Sequence, residues 1–268
     1  MNLSAYLARI GYSGPVEPTF EVLCGIQQAH LLHVPFENFD IHLGTPIVLS
    51  EAVLYEKIVT RRRGGFCYEL NGLLAAVLEQ IGFRVIRLSA QGAEDDGGYS
   101  ADFDHLALQV HALDDPETPF LVDVGWGNGP FEPLRLLDQE EQRQGGRKRN
   151  TLRSFRLQPE GCHLVLEERG GRGLAGEGDA SQADFVRHYR FTLTPHVLAD
   201  FEGMCRYHQT SPDSIFTRKR MATLFTPEGR VTLSDLRLIE TTAASRTERE
   251  VSPDEVSEVL LERFGLRF

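Results

Sequence analysis

The chain is poor in cysteine: four in 268 residues, Cys24, Cys67, Cys162 and Cys205, with no C-x-x-C pair among them. That spacing excludes the dense disulfide framework of a small secreted domain and argues against a zinc site or a redox dithiol. A grouping of Cys24 with His30 and His33 lacks a fourth ligand at a usable spacing, so no metal is expected. Long hydrophobic runs are missing too. No segment approaches the ~20 apolar residues of a membrane span. Residues 1–11 alternate polar and apolar side chains, so no signal peptide is expected there. Basic residues are in deficit, 28 Lys and Arg against 39 Asp and Glu, a net charge of −11. An acidic surface argues against nucleic acid or an anionic membrane as the main partner. It leaves room for an anionic cofactor held by a local positive patch. There is a single tryptophan, and no internal repeat. The expected compartment is the reducing cytoplasm, which keeps thiols free.

What remains is an ordinary globular composition, 41% hydrophobic and 25% charged. The length fits one large domain or two to three small ones. Its most informative stretch is Arg62-Arg63-Gly64-Gly65-Phe66-Cys67-Tyr68-Glu69-Leu70-Asn71. Leu70, Leu73, Leu74, Val77, Leu78 and Ile81 recur at helical spacing and stop at Gly82, which predicts a helix starting at Cys67. A thiol in the first turn of a helix faces unpaired N–H groups and the positive end of the dipole. Both favour thiolate, so the expected pKa is below the free value of about 8.5. Cys67 is therefore a candidate nucleophile. Gly64 and Gly65 permit a sharp turn and the close approach of a substrate.

The first eighty residues read as helices: 3–10, 20–32, 51–61 and 67–81. Strand patterns follow at 83–91, 105–112 and 120–124, then near 151–157, 163–167 and 186–193. Hydrophilic loops are expected at 92–100 and 170–180, the second one mobile, and a charged connector at 139–150. Residues 195–208 read as helix. Pro227-Glu228-Gly229 marks a hairpin between 215–226 and 230–240. Ser252-Pro253-Asp254-Glu255 caps a last helix ending at Gly265. Helices, then strands, then mixed elements imply an α+β fold with partly separate lobes.

A cysteine nucleophile requires a base, and the base an orienting group. His105 opens a strand whose other face is aliphatic. Asp123 stands among Leu121, Val122 and Val124, where an unpaired carboxylate would be costly to desolvate. An imidazole Nδ1–H is a suitable partner for it. Cys67, His105 and Asp123 thus form a candidate Cys-His-Asp triad.

The block Arg63-Gly64-Gly65-Phe66-Cys67-Tyr68-Glu69-Leu70-Asn71 resembles the signature of the arylamine N-acetyltransferases. So do His33-Val34-Pro35-Phe36-Glu37-Asn38, His105-Leu106-Ala107-Leu108, Val122-Asp123-Val124-Gly125-Trp126-Gly127 and Thr210-Ser211-Pro212-Asp213-Ser214-Ile215-Phe216, in that family's order. The resemblance implies catalytic roles for Cys67, His105 and Asp123 in a cysteine-protease-like arrangement. It implies a helical N-terminal domain (1–82) carrying the nucleophile, a central β-barrel domain (83–194) carrying His105 and Asp123, and a C-terminal α/β lid (195–268). It further implies ping-pong transfer of acetyl from acetyl-coenzyme A, through an acetyl-Cys67 thioester, to an arylamine, arylhydrazine or N-hydroxyarylamine, as in xenobiotic metabolism. Phe36, Trp126 and Phe216 are the expected substrate contacts, and Gly125 and Gly127 the expected coenzyme A contacts; core packing and a plain turn are the competing readings. Glu37 and Arg63 are expected to pair beside the nucleophile. Trp126 departs from the phenylalanine common in the family, and should reshape the acceptor pocket. A biosynthetic amide synthase, a cysteine hydrolase and a non-catalytic acyl-coenzyme A or arylamine binding protein are the alternatives. Assembly is expected to be monomeric or homodimeric.

Overall fold

The computed structural model describes residues 1–144, 153–169, 184–242 and 245–268. The expected mobile loop at 170–180 lies outside them, as do residues 145–150 of the connector and residues 151–152 of a predicted strand. The N-terminal part is helical: α1 (Leu3–Arg9), α2 (Phe20–His33), α3 (Phe39–His42), α4 (Glu51–Tyr55) and α5 (Cys67–Ile81). Helix α5 is central, with every residue from Cys67 to Leu78 buried. It ends at Gly82, whose φ of 111° is a left-handed conformation that glycine adopts without strain. The predicted helix at 51–61 is α4 continued by a π-helical turn, Glu56–Thr60, which closes with the Arg61 N–H on the Glu56 carbonyl. Among the described residues no helix is long and apolar enough to cross a membrane.

Two sheets follow. The larger has eight antiparallel strands in the order β5-β4-β3-β2-β9-β8-β7-β6. These are β2 (Arg84–Gly92), β3 (His105–His111), β4 (Pro119–Val122), β5 (Leu134–Arg135), β6 (Gln142–Gln144), β7 (Arg153–Glu160), β8 (His163–Arg169) and β9 (Val186–Phe191). It curls into a nearly closed barrel, and two glutamines bridge its edges. The Gln142 amide bonds the Arg135 N–H and carbonyl at 2.8 and 2.9 Å, imitating a strand partner. Gln144 does the same for the Phe131 and Glu132 N–H groups and the Glu132 carbonyl. The charged connector expected at 139–150 thus contributes an edge strand. Its polar side chains perform the pairing, so no apolar alternation marked it.

Strand β3 was expected to be half-buried, but only its last residue is partly exposed. One face (Leu106, Leu108, Val110) packs in the core with α5, and Ala107 on the other joins the barrel's own core. The alternation of polar and apolar residues therefore separates two buried environments rather than core from solvent.

The second sheet has the order β1-β10-β11-β12-β13. Its strands are β1 (Phe36–Glu37), β10 (Met221–Phe225), β11 (Gly229–Ser234), β12 (Arg237–Thr242) and β13 (Arg246–Glu250). Strand β1 lies among the helices in sequence yet pairs antiparallel with β10, Phe36 opposite Thr223. This pairing ties the C-terminal sheet to the helical part. The predicted helix at 195–208 is a 3-10 turn, Leu198–Phe201, followed by α6 (Glu202–Thr210). The predicted first arm of the hairpin divides into α7 (Ile215–Arg218) and β10, and the second arm into β11 and β12. The break between β11 and β12 falls at Asp235, with φ 53°. The capping box at Ser252 starts a 3-10 turn that leads into α8 (Val256–Phe264).

Candidate active site

Cys67 is the first residue of α5, and the turn before it is held by buried charge. Glu69 reaches back to accept the Phe66 N–H at 3.1 Å, capping the helix. Its other oxygen pairs with Lys57 at 2.7 Å, and Lys57 also pairs with Asp40 at 2.7 Å. Arg63 then bridges Asp40 at 2.9 Å and Glu37 at 2.8 Å, so Glu37 and Arg63 pair as expected, Arg63 standing four residues before Cys67 in the chain. Two cations and three carboxyl groups therefore lie under the turn. Burial, opposed by Lys57, raises the Glu69 pKa from 4.5 to about 7. The glycines serve this packing. A Cβ on Gly64 would stand 2.0 Å from the Pro35 carbonyl oxygen.

His105 opens β3, and Asp123 follows the end of β4. The imidazole Nε2 lies 2.7 Å from Asp123 Oδ2, with both side chains buried. The nitrogen facing the carboxylate is Nε2, not the Nδ1 expected from the sequence, so Nδ1 is the one left for the thiol. Asp123 accepts three further hydrogen bonds: from Tyr189 Oη at 2.9 Å, Asn71 Nδ2 at 2.8 Å and the Gly125 N–H at 2.8 Å. Burial alone would raise its pKa. The His105 charge and the bonds from His105, Asn71 and the Gly125 N–H outweigh burial and hold the carboxyl below its ordinary value.

The thiol departs from expectation. Burial pushes the Cys67 pKa well above its ordinary value, opposed by the Leu106 N–H, and the carboxylates of Asp104 and Asp123 push it further. A helix N-terminus cannot outweigh full burial beside two negative groups. A thiol must give up a proton to become a thiolate, and an imidazole, His105, lines the same cleft. No hydrogen bond joins Cys67 Sγ to the imidazole among the described residues; such contacts tighten when substrate binds.

The cleft has a volume of about 870 Å³, and Phe36, Cys67, His105, Gly125, Trp126, Gly127 and Phe216 all line it. The Phe36 and Phe216 rings lie 6.1 Å apart, and Trp126 stands edge-on to His105 at 4.9 Å. Gly125 packs on Cys67 itself, since a Cβ there would come within 2.7 Å of the Cys67 Cα. Gly127 has φ +74° and abuts Thr223 and Phe36. Also in the lining, Asp104 Oδ1 lies 3.0 Å from His208 Nε2, and His208 Nδ1 lies 3.0 Å from Ser214 Oγ.

Sequence reasoning missed two supports. Asn71 lies one helical turn after Cys67. Besides Asp123 it bonds the Leu106 carbonyl at 2.6 Å and the Val124 N–H at 3.0 Å, fastening α5 to β3 and to the end of β4. An amide set among the apolar residues of a buried helix was the available signal. Tyr189 had none, because its barrel partners are distant in sequence.

A buried thiol at a helix start, sharing a cleft with a carboxylate-held imidazole on a barrel, has the composition of a thiol-imidazole-carboxylate site. The N-acetyltransferase family profile matches residues 19–268. A pineal-gland arylamine N-acetyltransferase isozyme of Gallus gallus is 35% identical, over 85% of this chain and 79% of its own. The arylamine N-acetyltransferase of Mycolicibacterium smegmatis is 34% identical, over 99% of this chain and 92% of its own. The structure of the Mycobacterium marinum arylamine N-acetyltransferase in complex with CoA superposes with a TM-score of 0.85 at 31% identity, covering 98% of this chain and 92% of that one. The chain belongs to the arylamine N-acetyltransferase family and is an acyltransferase.

Proposed function

We propose that the chain transfers acetyl from acetyl-coenzyme A to the nitrogen of arylamines, arylhydrazines or N-hydroxyarylamines, with Cys67, His105 and Asp123 as its catalytic triad. In this reading His105 Nδ1 takes the thiol proton and Cys67 Sγ attacks the thioester carbonyl. The backbone N–H of Cys67 receives the oxyanion, an interaction worth about 3 kcal/mol. The carbon–sulfur bond to coenzyme A breaks, the imidazolium protonates the leaving thiolate, and acetyl-Cys67 remains. An amine then enters the same cleft, His105 removes its proton as nitrogen attacks, and the proton returns to Cys67 as the amide leaves. Asp123 holds the imidazole by Nε2 throughout. Phe36, Trp126 and Phe216 hold the acceptor ring, and the backbone at Gly125 and Gly127 faces the acyl donor. Residues 1–82 supply the nucleophile, 83–194 the base and its carboxylate, and 195–268 the lid. The cytoplasm is the compartment this chemistry suits.

The observation that carries the reading is that His105, held 2.7 Å from Asp123, lines one cleft with Cys67. Release of coenzyme A is the test. Without amine, one equivalent per enzyme should appear in a burst and then stop; adding an aniline should restore continuous release. Continuous release without amine would instead make the protein a hydrolase.

A further inference from the structure

Trp126 is the single tryptophan of the chain, and its indole N–H is taken up by a side chain of β9. Nε1 lies 2.7 Å from His188 Nδ1. An indole N–H can only donate, so Nδ1 accepts and the His188 ring proton sits on Nε2. There it donates to Glu168 Oε2 at 2.7 Å. Glu168 Oε1 accepts from Arg153 Nε at 2.6 Å. Arg153 closes the circuit by donating to the Asn128 and Gly129 carbonyls at 2.6 and 3.0 Å, in the loop that carries Trp126.

The fold builds this placement deliberately into β9. Leu166 pairs with Tyr189 and Glu167 with Arg187, so His188 is the extra residue of a β-bulge. Regular alternation would turn His188 to the face opposite Tyr189. The bulge lets neighbouring residues serve one site: Tyr189 reaches Asp123, and His188 reaches Trp126. Trp126 and Tyr189 lie against the His105 ring at 4.9 and 5.0 Å. Glycine at position 92 leaves room for the far edge of the indole, 3.4 Å from where a Cβ would be.

We propose that His188 is a positioning residue that sets acceptor specificity: it occupies the indole N–H of Trp126 and fixes the ring against His105, so the wall offered to the acceptor is apolar and of fixed shape. This rests on the reading of Trp126 as part of the acceptor pocket. Acceptors with a flat apolar face are favoured, and a substituent that needs a hydrogen-bond donor from this wall finds none.

Two substitutions separate this role from a structural one. His188→Asn keeps an acceptor near the Nδ1 position and loses Glu168. His188→Gln keeps a group near Nε2, bonded to Glu168, and loses the indole. Fluorescence excited at wavelengths where only tryptophan absorbs, clear of the seven tyrosines, reports Trp126 alone. Positioning predicts that His188→Gln shifts the emission and raises acrylamide quenching, whereas His188→Asn stays close to the parent. It also predicts that the KM of an apolar aniline rises about fivefold in His188→Gln, the value of one net hydrogen bond, while Cys67 acetylation by acetyl-coenzyme A is unchanged. In a Trp126→Phe background the same change should add nothing to KM. The opposite order, with His188→Gln unaffected and His188→Asn defective, would overturn the proposal. So would an equal effect of His188→Gln in the Trp126→Phe background. Absence of acetyl-Cys67 in the parent enzyme would remove the functional reading instead, and the fluorescence comparison would still decide the contact.

Discussion

Replacing Arg63 by alanine should destabilise the whole chain, although Arg63 touches none of the reacting atoms. Its guanidinium is the ion-pair partner of Glu37, which is 0% exposed, and shares Asp40 with Lys57. Asp40 would keep Lys57; among the described residues Glu37 would keep only the Phe39 N–H, at 2.8 Å. Removing one partner of a buried pair costs about 3–5 kcal/mol, because the remaining charge has no water to return to. For a chain of this size each kcal/mol moves the melting temperature by roughly 2–4 °C, so a fall of about 10 °C is expected. Scanning calorimetry on Arg63→Ala measures it. The second variant, Arg63→Ala with Glu37→Gln, should recover part of the loss, since it removes the stranded charge. An unchanged melting temperature in the single variant, or no recovery in the double, would refute the reasoning.

Gly125→Ala should abolish activity and lower stability, because the new methyl meets the backbone of Cys67 at 2.7 Å and neither side can yield cheaply; a well-folded, active Gly125→Ala enzyme would contradict this. Asp123→Asn should keep the fold, leave the His105 tautomer wrong and reduce kcat by about 10³–10⁴-fold, read by steady-state kinetics. Acid stability should depend on Glu168. Burial would raise its pKa, yet bonds from His188 and Arg153 hold it at about 2 against 4.5. A lowered folded value gives stability that is present above 4.5 and is lost as pH falls towards 2, about 3 kcal/mol. Glu168→Gln should flatten that acid limb in a series of melting temperatures against pH.

The sequence revealed those parts of the fold whose signals are local. Helix α5 announced itself by its leucine spacing and by glycine at its end, and α8 by its capping box. Cys67 and Asp123 were also legible as candidates, because a cysteine at a helix start just past a glycine pair and an aspartate among aliphatics each stand out from their surroundings. What escaped depends on distant partners. Strand β1 has two residues and exists only because β10 pairs with it. Strand β13 is exposed along its length and has no apolar face to mark it. The thiol's raised pKa comes from burial and from carboxylates elsewhere in the chain, neither of which a helix start discloses. The bulge at His188 arises from a register shift between β8 and β9 that has no sequence mark of its own.

Intact-protein mass spectrometry after mixing with acetyl-coenzyme A, in the absence of amine, addresses the catalytic assignment directly. The expected result is a gain of one acetyl group, mapped to the peptide containing Cys67, absent from Cys67→Ala and discharged on adding an aniline. Normal formation of acetylated amine with no acetyl group on Cys67 at any time would contradict it.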